Sequence, residues 1–137
     1  MSLVIDSSVA LTWCFEDERT PGTLALLEQI VESGAVAPAL WPLEVLNGLA
    51  MAERRKRLKA AQRRRLAGFL HGLPITLDHE TATQAWGATA DLAERFQLTI
   101  YDAAYLELAQ RLTLPLATLD RALHTAATGL GVKLLPL

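Results

Sequence analysis

The sequence predicts an α/β fold with a central parallel sheet of four to five short strands and helices on both faces. Two observations predict this fold: short apolar segments alternate with longer segments of helical periodicity, and apolar residues fill those short segments without alternation. Continuous apolar strands are typical of parallel sheets, because helices cover both faces of such a sheet. No linker, repeat or low-complexity stretch divides the 137 residues. We therefore expect a single domain over residues 1–137.

Five apolar segments are predicted as strands. They are residues 3–5, 36–37, 75–77, 116–118 and 133–135. Pro38 is expected to stop the second strand, because proline has no N–H to donate to a neighbouring strand. The last segment is expected to close the sheet.

Helices are predicted between the strands from periodicity and capping residues. Ser7 and Ser8 suit the N-cap of the first helix, and Pro21 and Pro42 suit the first turn of the next two. The buried sides of those two helices are predicted to be Leu24, Leu27, Ile30 and Val31, and Val45, Leu46, Leu49 and Ala50. Further helices are expected over residues 79–96 and 101–112.

The composition excludes several classes of protein. Hydrophobic residues make up 51% and charged residues 20% of the chain, which excludes a disordered protein. The mean hydropathy is +0.22, but the longest uncharged stretch, residues 66–77, is too short for a membrane span of about 18 residues or more. The first residues lack the basic head of a signal peptide, and the single Cys14 cannot form an internal disulfide. We therefore expect a cytoplasmic protein in which Cys14 is a small buried hydrophobe.

Basic residues are concentrated in one segment although the net charge is only −2. Eight of the 13 lysines and arginines lie between Arg54 and Arg65. Such a cluster can contact the phosphates of a nucleic acid. It can equally form the solvated side of a helix whose inner side carries Leu58, Ala61, Leu66 and Leu70. Charge alone leaves both interpretations open.

Four acidic residues are candidates for a functional site. Asp6 directly follows the first strand and Asp120 follows the fourth, so both are expected at the carboxyl edge of the sheet, where ligands bind. Asp102 and Glu44 lie in the opening turns of helices. Each acid alone has a structural explanation, such as a helix cap, an offset to a helix dipole, a turn or a surface position.

The surroundings of these acids favour a metal site. Glu44 and Asp102 lie among apolar residues, where an unpaired charge is costly. Four converging carboxylates would repel one another unless they shared a hard divalent cation, Mg²⁺ or Mn²⁺. Such a site suits phosphodiester hydrolysis. Thr118 could orient a water or an acid through its hydroxyl, and Asn47 lies one helical turn beyond Glu44.

The chain resembles the PIN-domain ribonucleases, and within them the VapC-like toxins of toxin–antitoxin pairs. The resemblance runs from end to end and is carried by VIDSS at 4–8, PLEVLN at 42–47, YDAAYL at 101–106 and LATLD at 116–120. It implies a PIN-like fold and a Mg²⁺-dependent endoribonuclease, usually a homodimer, whose antitoxin partner covers the active-site groove.

The resemblance also implies roles for individual residues. Asp6 and Asp102 match the principal metal ligands, Glu44 and Asp120 complete the acidic quartet, and Thr118 matches the family's Thr-x-Asp pattern. Many relatives carry a further acid where this chain has Ala122. That departure bears on a second metal ion and not on the first.

Two other functions compete with this interpretation. A PIN-like module that binds RNA or protein without cutting would need no acidic quartet. A phosphoaspartyl receiver or phosphatase would use Asp6 as nucleophile. Such a phosphatase needs a second Asp two residues later, where this chain has Ser8.

Overall fold

A computed structural model describes residues 2–137 and contains a four-stranded parallel sheet flanked by helices. The strands are β1 (Val4–Ile5), β2 (Ala35–Pro38), β3 (Ile75–Asp78) and β4 (Leu116–Ala117). Their order across the sheet is β3-β2-β1-β4, and every pairing is parallel. The predicted α/β class is confirmed.

The register of the sheet places the ends of three strands side by side. Val4 of β1 pairs with Val36 of β2 on one side and with Leu116 of β4 on the other. Since the strands are parallel, the segments that follow β2, β1 and β4 all leave from the same edge. Asp6 and Asp120, which follow β1 and β4, therefore lie at this edge.

Helices connect the strands and pack on the sheet. They are α1 (Ser7–Thr12), α2 (Pro21–Ser33), α3 (Trp41–Arg54), α4 (Ala60–His71), α5 (Thr81–Gln84), α6 (Ala90–Phe96), α7 (Ile100–Leu112) and α8 (Arg121–Leu130). A 3₁₀ turn covers Glu16–Glu18, and a π-helical turn, Ala85–Thr89, joins α5 to α6. Within residues 2–137, no helix has both the length and the apolar character needed to cross a membrane.

The C-terminal segment differs from the prediction. Residues 133–135 form only an isolated bridge between Leu134 and Leu116, not a fifth strand. Pro136 follows directly and has no N–H with which to extend the pairing. Helix α8, which the sequence analysis did not predict, occupies the chain between β4 and this bridge.

The predicted buried faces are partly wrong. In α2 the buried residues are Thr23, Leu26 and Ile30, while Val31 is 60% exposed. The apolar residues of α2 surround more than half of the helix, so their spacing alone did not define which side docks. In α3 the buried positions include Val45 and Leu49 as predicted, but Leu46 is exposed. In α4, Leu70 is buried and Ala61 is exposed.

The core also settles the role of the first helix and its continuation. Trp13 and Phe15 are buried in the main hydrophobic cluster, so they stabilise the fold instead of forming a surface for a partner. Cys14 is buried beside them, as predicted, and burial raises the pKa of its thiol to about 11. This cysteine is therefore an unreactive thiol at neutral pH.

Candidate active site

Asp6 is the most deeply buried of the candidate acids. It directly follows β1, and the residue is 2% exposed. The hydroxyls of Ser8 and Thr118 both donate to Asp6 Oδ2, each at 2.7 Å. These two donors fix the carboxylate in one orientation.

Ser8 and Thr118 also join the segments after β1 and β4. The Thr118 hydroxyl accepts from the backbone N–H of Asp120 at 3.0 Å, and the Ser8 hydroxyl accepts from that of Leu119 at 3.1 Å. The Thr118 hydroxyl therefore contacts a candidate acid and the backbone that leads to another. Asp6 and Asp120 are held close together by this network.

The expectation that Ser7 and Ser8 cap α1 is wrong. Asp6 occupies the N-cap position, Ser7 begins the helix, and no side chain caps it. The Ser7 hydroxyl lies 3.4 Å from Asp6 Oδ1 and 3.3 Å from Glu44 Oε1 instead. The hydroxyls of both serines therefore contact carboxylate oxygens of the candidate acids.

Glu44 lies in the first turn of α3 and is partly buried. The hydroxyl of Tyr105, on α7, donates to Glu44 Oε1 at 2.6 Å. Gly48, one turn further along α3, allows α1 to approach closely, because a Cβ there would lie 2.6 Å from Leu11 Cδ1. This close packing of α1 on α3 brings Ser7 within reach of Glu44.

Asp102 and Asp120 lie at the N-termini of α7 and α8. The N-cap of α7 is Thr99, whose hydroxyl accepts from the backbone N–H of Asp102 at 3.0 Å. Asp120 is itself the N-cap of α8, and its Oδ1 accepts from the N–H of Leu123 at 2.8 Å. Asp120 therefore caps α8 through Oδ1, and its Oδ2 makes no hydrogen bond within residues 2–137.

The four carboxylates affect one another's ionisation. Burial, together with the charges of Asp120, Asp6 and Glu44, raises the pKa of Asp102 to about 6. The pKa values of Asp6 and Glu44 are also raised, mainly by burial, although the hydroxyl hydrogen bonds to them act in the opposite direction. Asp6, Glu44 and Asp102 therefore lie in environments that disfavour their negative charges.

This donor set fits a hard divalent cation in its chemistry. All four candidates offer carboxylate oxygens, which Mg²⁺ and Mn²⁺ prefer. No three His, Cys, Asp or Glu side chains in residues 2–137 form a ready metal cage. The acids are close enough to interact electrostatically, but their oxygens do not yet converge on one point.

Asn47 does not join this group. It is exposed on α3, and its side chain makes no hydrogen bond within the described part of the chain. The sequence placed it one turn from Glu44, but helical spacing did not determine whether the side chain turns towards the acids.

The basic segment is partly structural. Arg57 pairs with Asp17 and Glu18 and lies 4.1 Å above the ring of Phe15, and Arg63 pairs with Glu53. The six other basic residues form no ion pair within residues 2–137; they are Arg54, Arg55, Lys56, Lys59, Arg64 and Arg65. The segment begins at the far end of α3, about 15 Å from Glu44 at 1.5 Å per residue.

Comparison with known proteins identifies the family of the chain. A sequence model described as "PIN domain" matches residues 3–128. The chain belongs to the PIN-domain family. PIN domains are generally nucleases and typically use divalent metal ions. No curated protein sequence matches the chain significantly.

Solved structures show the same PIN fold at low sequence identity. PAE2754 from Pyrobaculum aerophilum is 23% identical, with a TM-score of 0.67 over 92% of this chain and 87% of that one. FitAcB from Neisseria gonorrhoeae is 17% identical, with a TM-score of 0.67 over 99% and 97%. VapBC2 from Rickettsia felis, bound to a DNA fragment from its promoter, is 12% identical, with a TM-score of 0.68 over 98% of each chain.

Proposed function

We propose that this PIN domain is a Mg²⁺-dependent endoribonuclease. In this proposal Asp6 and Asp102 are the principal metal ligands, and Glu44 and Asp120 complete the site by direct or water-mediated coordination or by positioning the attacking water. The observation that carries the proposal is the group of four neighbouring carboxylates that includes the buried Asp6, one of whose oxygens is fixed by two hydroxyl donors.

A purely structural role does not account for these acids. The chain contains structural acids for comparison: Asp78 and the buried Glu107 both pair with Arg111, and Arg111 lowers the pKa of Asp78. In contrast, no Lys, Arg or His in residues 2–137 forms a salt bridge with Asp6, Glu44, Asp102 or Asp120. A buried carboxylate without a cationic partner is costly, and a bound divalent cation supplies that partner.

The residues of the chain have distinct tasks in this reaction. A divalent cation at the site supplies positive charge that activates water for attack and stabilises the leaving oxygen. Asp6 is held by Ser8 and Thr118, so its orientation does not depend on substrate. The pKa of Asp102 is raised to about 6 but is still below neutral pH, so most of this carboxylate is ionised there and able to bind a cation. Mn²⁺ is expected to substitute for Mg²⁺.

The nuclease is tested by incubating the purified protein with mixed cellular RNA in Mg²⁺, in Mn²⁺ and in chelator. We expect discrete fragments with either metal and none with chelator. Asp6→Asn should abolish cleavage, while the matched variant Asp91→Asn, at an exposed position on α6, should cut normally. Full activity of Asp6→Asn would refute the assignment. RNA binding without metal and without cleavage would favour the alternative of a PIN-like module that binds RNA without cutting it.

We further propose that the protein is a VapC-like toxin that acts in the cytoplasm as a homodimer and is silenced by a cognate antitoxin protein. Support comes from the family and from the fold that the chain shares with FitAcB and VapBC2. Induced expression of the chain alone should stop growth of the host cell, and Asp6→Asn should not. Unimpaired growth alongside nuclease activity in the lysate would contradict the toxin role. Sedimentation of the purified chain tests the homodimer.

A further inference from the structure

We infer that Tyr105 is a positioning residue that holds Glu44 in place for metal binding. The geometry that supports this is the 2.6 Å hydrogen bond from the Tyr105 hydroxyl to Glu44 Oε1, made in the interior between α7 and α3. The inference rests on the proposed metal site. Tyr105 is not one of the four acids, and the inference gives it a role in the site.

Packing alone does not require a tyrosine at this position. Tyr105 is 0% exposed and is among the largest fully buried side chains. A phenylalanine would fill nearly the same volume without bringing a polar atom into the core. A buried hydroxyl that lacks a partner destabilises the fold, so the presence of this one is explained by its acceptor, and that acceptor is Glu44.

Tyr105 connects two of the proposed ligands. It lies three residues after Asp102 on α7, so the two side chains lie on neighbouring positions of one helix face. Glu44 comes from α3, which follows a different strand. The hydrogen bond therefore fixes the position of the α3 carboxylate relative to the helix that carries Asp102.

The bond also determines which oxygen of Glu44 remains free. Oε1 accepts from Tyr105 and lies 3.3 Å from the Ser7 hydroxyl, while Oε2 accepts no hydrogen bond within residues 2–137. Asp6 is held more fully, because Ser8 and Thr118 both donate to Oδ2 and the Ser7 hydroxyl lies 3.4 Å from Oδ1. In Glu44, hydroxyl donors hold one oxygen, and the other oxygen is left for a cation.

Metal binding by the apo protein tests this inference without relying on catalysis. The probe is Mn²⁺, titrated into chelator-treated protein and followed by electron paramagnetic resonance. Removing a group that orients a metal ligand typically weakens affinity 10–100-fold, and we expect that loss for Tyr105→Phe. The matched control is Tyr101→Phe, one turn earlier on α7, where the side chain is exposed. Tyr101→Phe should bind Mn²⁺ like the unmodified protein.

A double-mutant cycle separates positioning from a general effect on the fold. If Tyr105 acts through Glu44, Tyr105→Phe should not weaken Mn²⁺ binding further in a Glu44→Gln background. Independent, multiplicative losses would overturn the inference, as would unchanged affinity of Tyr105→Phe alone. Asp6→Asn is measured in parallel. If it too leaves the affinity unchanged, the metal site itself fails; if it weakens binding and Tyr105→Phe does not, only the positioning role fails.

A second measurement covers the case in which Tyr105→Phe does not fold. The chain contains two tyrosines, so 3-fluorotyrosine in a Tyr101→Phe background labels Tyr105 alone. We expect Mg²⁺ to shift the ¹⁹F resonance of Tyr105, with a midpoint that moves to higher Mg²⁺ concentration in Glu44→Gln. A resonance that does not respond to saturating Mg²⁺ would overturn the inference.

Discussion

Replacing Asp102 with Asn should stabilise the metal-free protein at neutral pH while it removes nuclease activity. The carboxyl of Asp102 is disfavoured in its charged form by burial and by the charges of Asp120, Asp6 and Glu44, which raise its pKa from 3.8 to about 6. Asn keeps nearly the same shape without the charge. The variant therefore removes a charge that destabilises the folded protein and that only the proposed site requires.

The size of the effect follows from the shift. A change from 3.8 to about 6 corresponds to roughly 3 kcal/mol at about 1.36 kcal/mol per pKa unit. Asp102 is partly exposed, so solvent screening reduces this to about 1–2 kcal/mol. A carboxylate in the first turn of α7 is also stabilised by the helix dipole, and losing that interaction costs about 0.5 kcal/mol. The net expectation is a gain of about 1 kcal/mol.

The pH dependence gives the effect a recognisable sign. Because the pKa of Asp102 is higher in the folded than in the unfolded state, the folded protein binds more protons between pH 3.8 and about 6. Its stability therefore falls as pH rises through that window. The gain in Asp102→Asn should be full near pH 7 and should disappear towards pH 4, where the carboxyl of the folded protein is protonated.

Urea denaturation in the presence of chelator measures this gain. The free energies of unfolding of the unmodified protein and Asp102→Asn are compared at pH 7.0 and pH 4.0, with Asp91→Asn as an exposed control. A loss of stability at pH 7.0, or a gain of equal size at both pH values, would show that the cost of ionising Asp102, from its burial and from the neighbouring acids, is not the cause.

Two further predictions concern the cations of the chain. Arg64→Gln with Arg65→Gln should weaken RNA binding and reduce the slope of log affinity against log salt by up to about 1.4, at about 0.7 per phosphate contact on a single strand; an unchanged slope would return the segment to a solvated helix surface. Arg111→Leu should lower the free energy of unfolding by about 3 kcal/mol, because it leaves Asp78 and the buried Glu107 without their shared partner, and urea denaturation showing a loss below about 1 kcal/mol would contradict that reasoning.

The sequence predicts the sheet edge and the acids better than it predicts their supports. Asp6 and Asp120 each follow an apolar segment, so parallel pairing alone places them at one edge. For Ser8 the sequence predicts a helix cap, although a serine after a strand suits capping and carboxylate binding equally well. Only the three-dimensional contact with Asp6 distinguishes the two.

Tyr105 was missed for a related reason. Its hydroxyl bonds to Glu44, 61 residues away along the chain, and local periodicity carries no information about such a pairing. Within YDAAYL the tyrosine is simply another buried position of an amphipathic helix. The prediction of a fifth strand was wrong for a different reason. The apolar residues before Pro136 match the strand pattern, but the proline has no N–H with which to extend the pairing.

Attack of water on an RNA phosphodiester is tested most directly by identifying the ends of the products after cleavage in H₂¹⁸O with Mg²⁺. A reaction at the Asp6 and Asp102 site should place ¹⁸O in the terminal phosphate, and it should continue when the 2′-hydroxyl at the cleaved position is replaced by hydrogen. A 2′,3′-cyclic phosphate product, or loss of cleavage on that replacement, would show that the RNA supplies its own nucleophile and would contradict the proposed function.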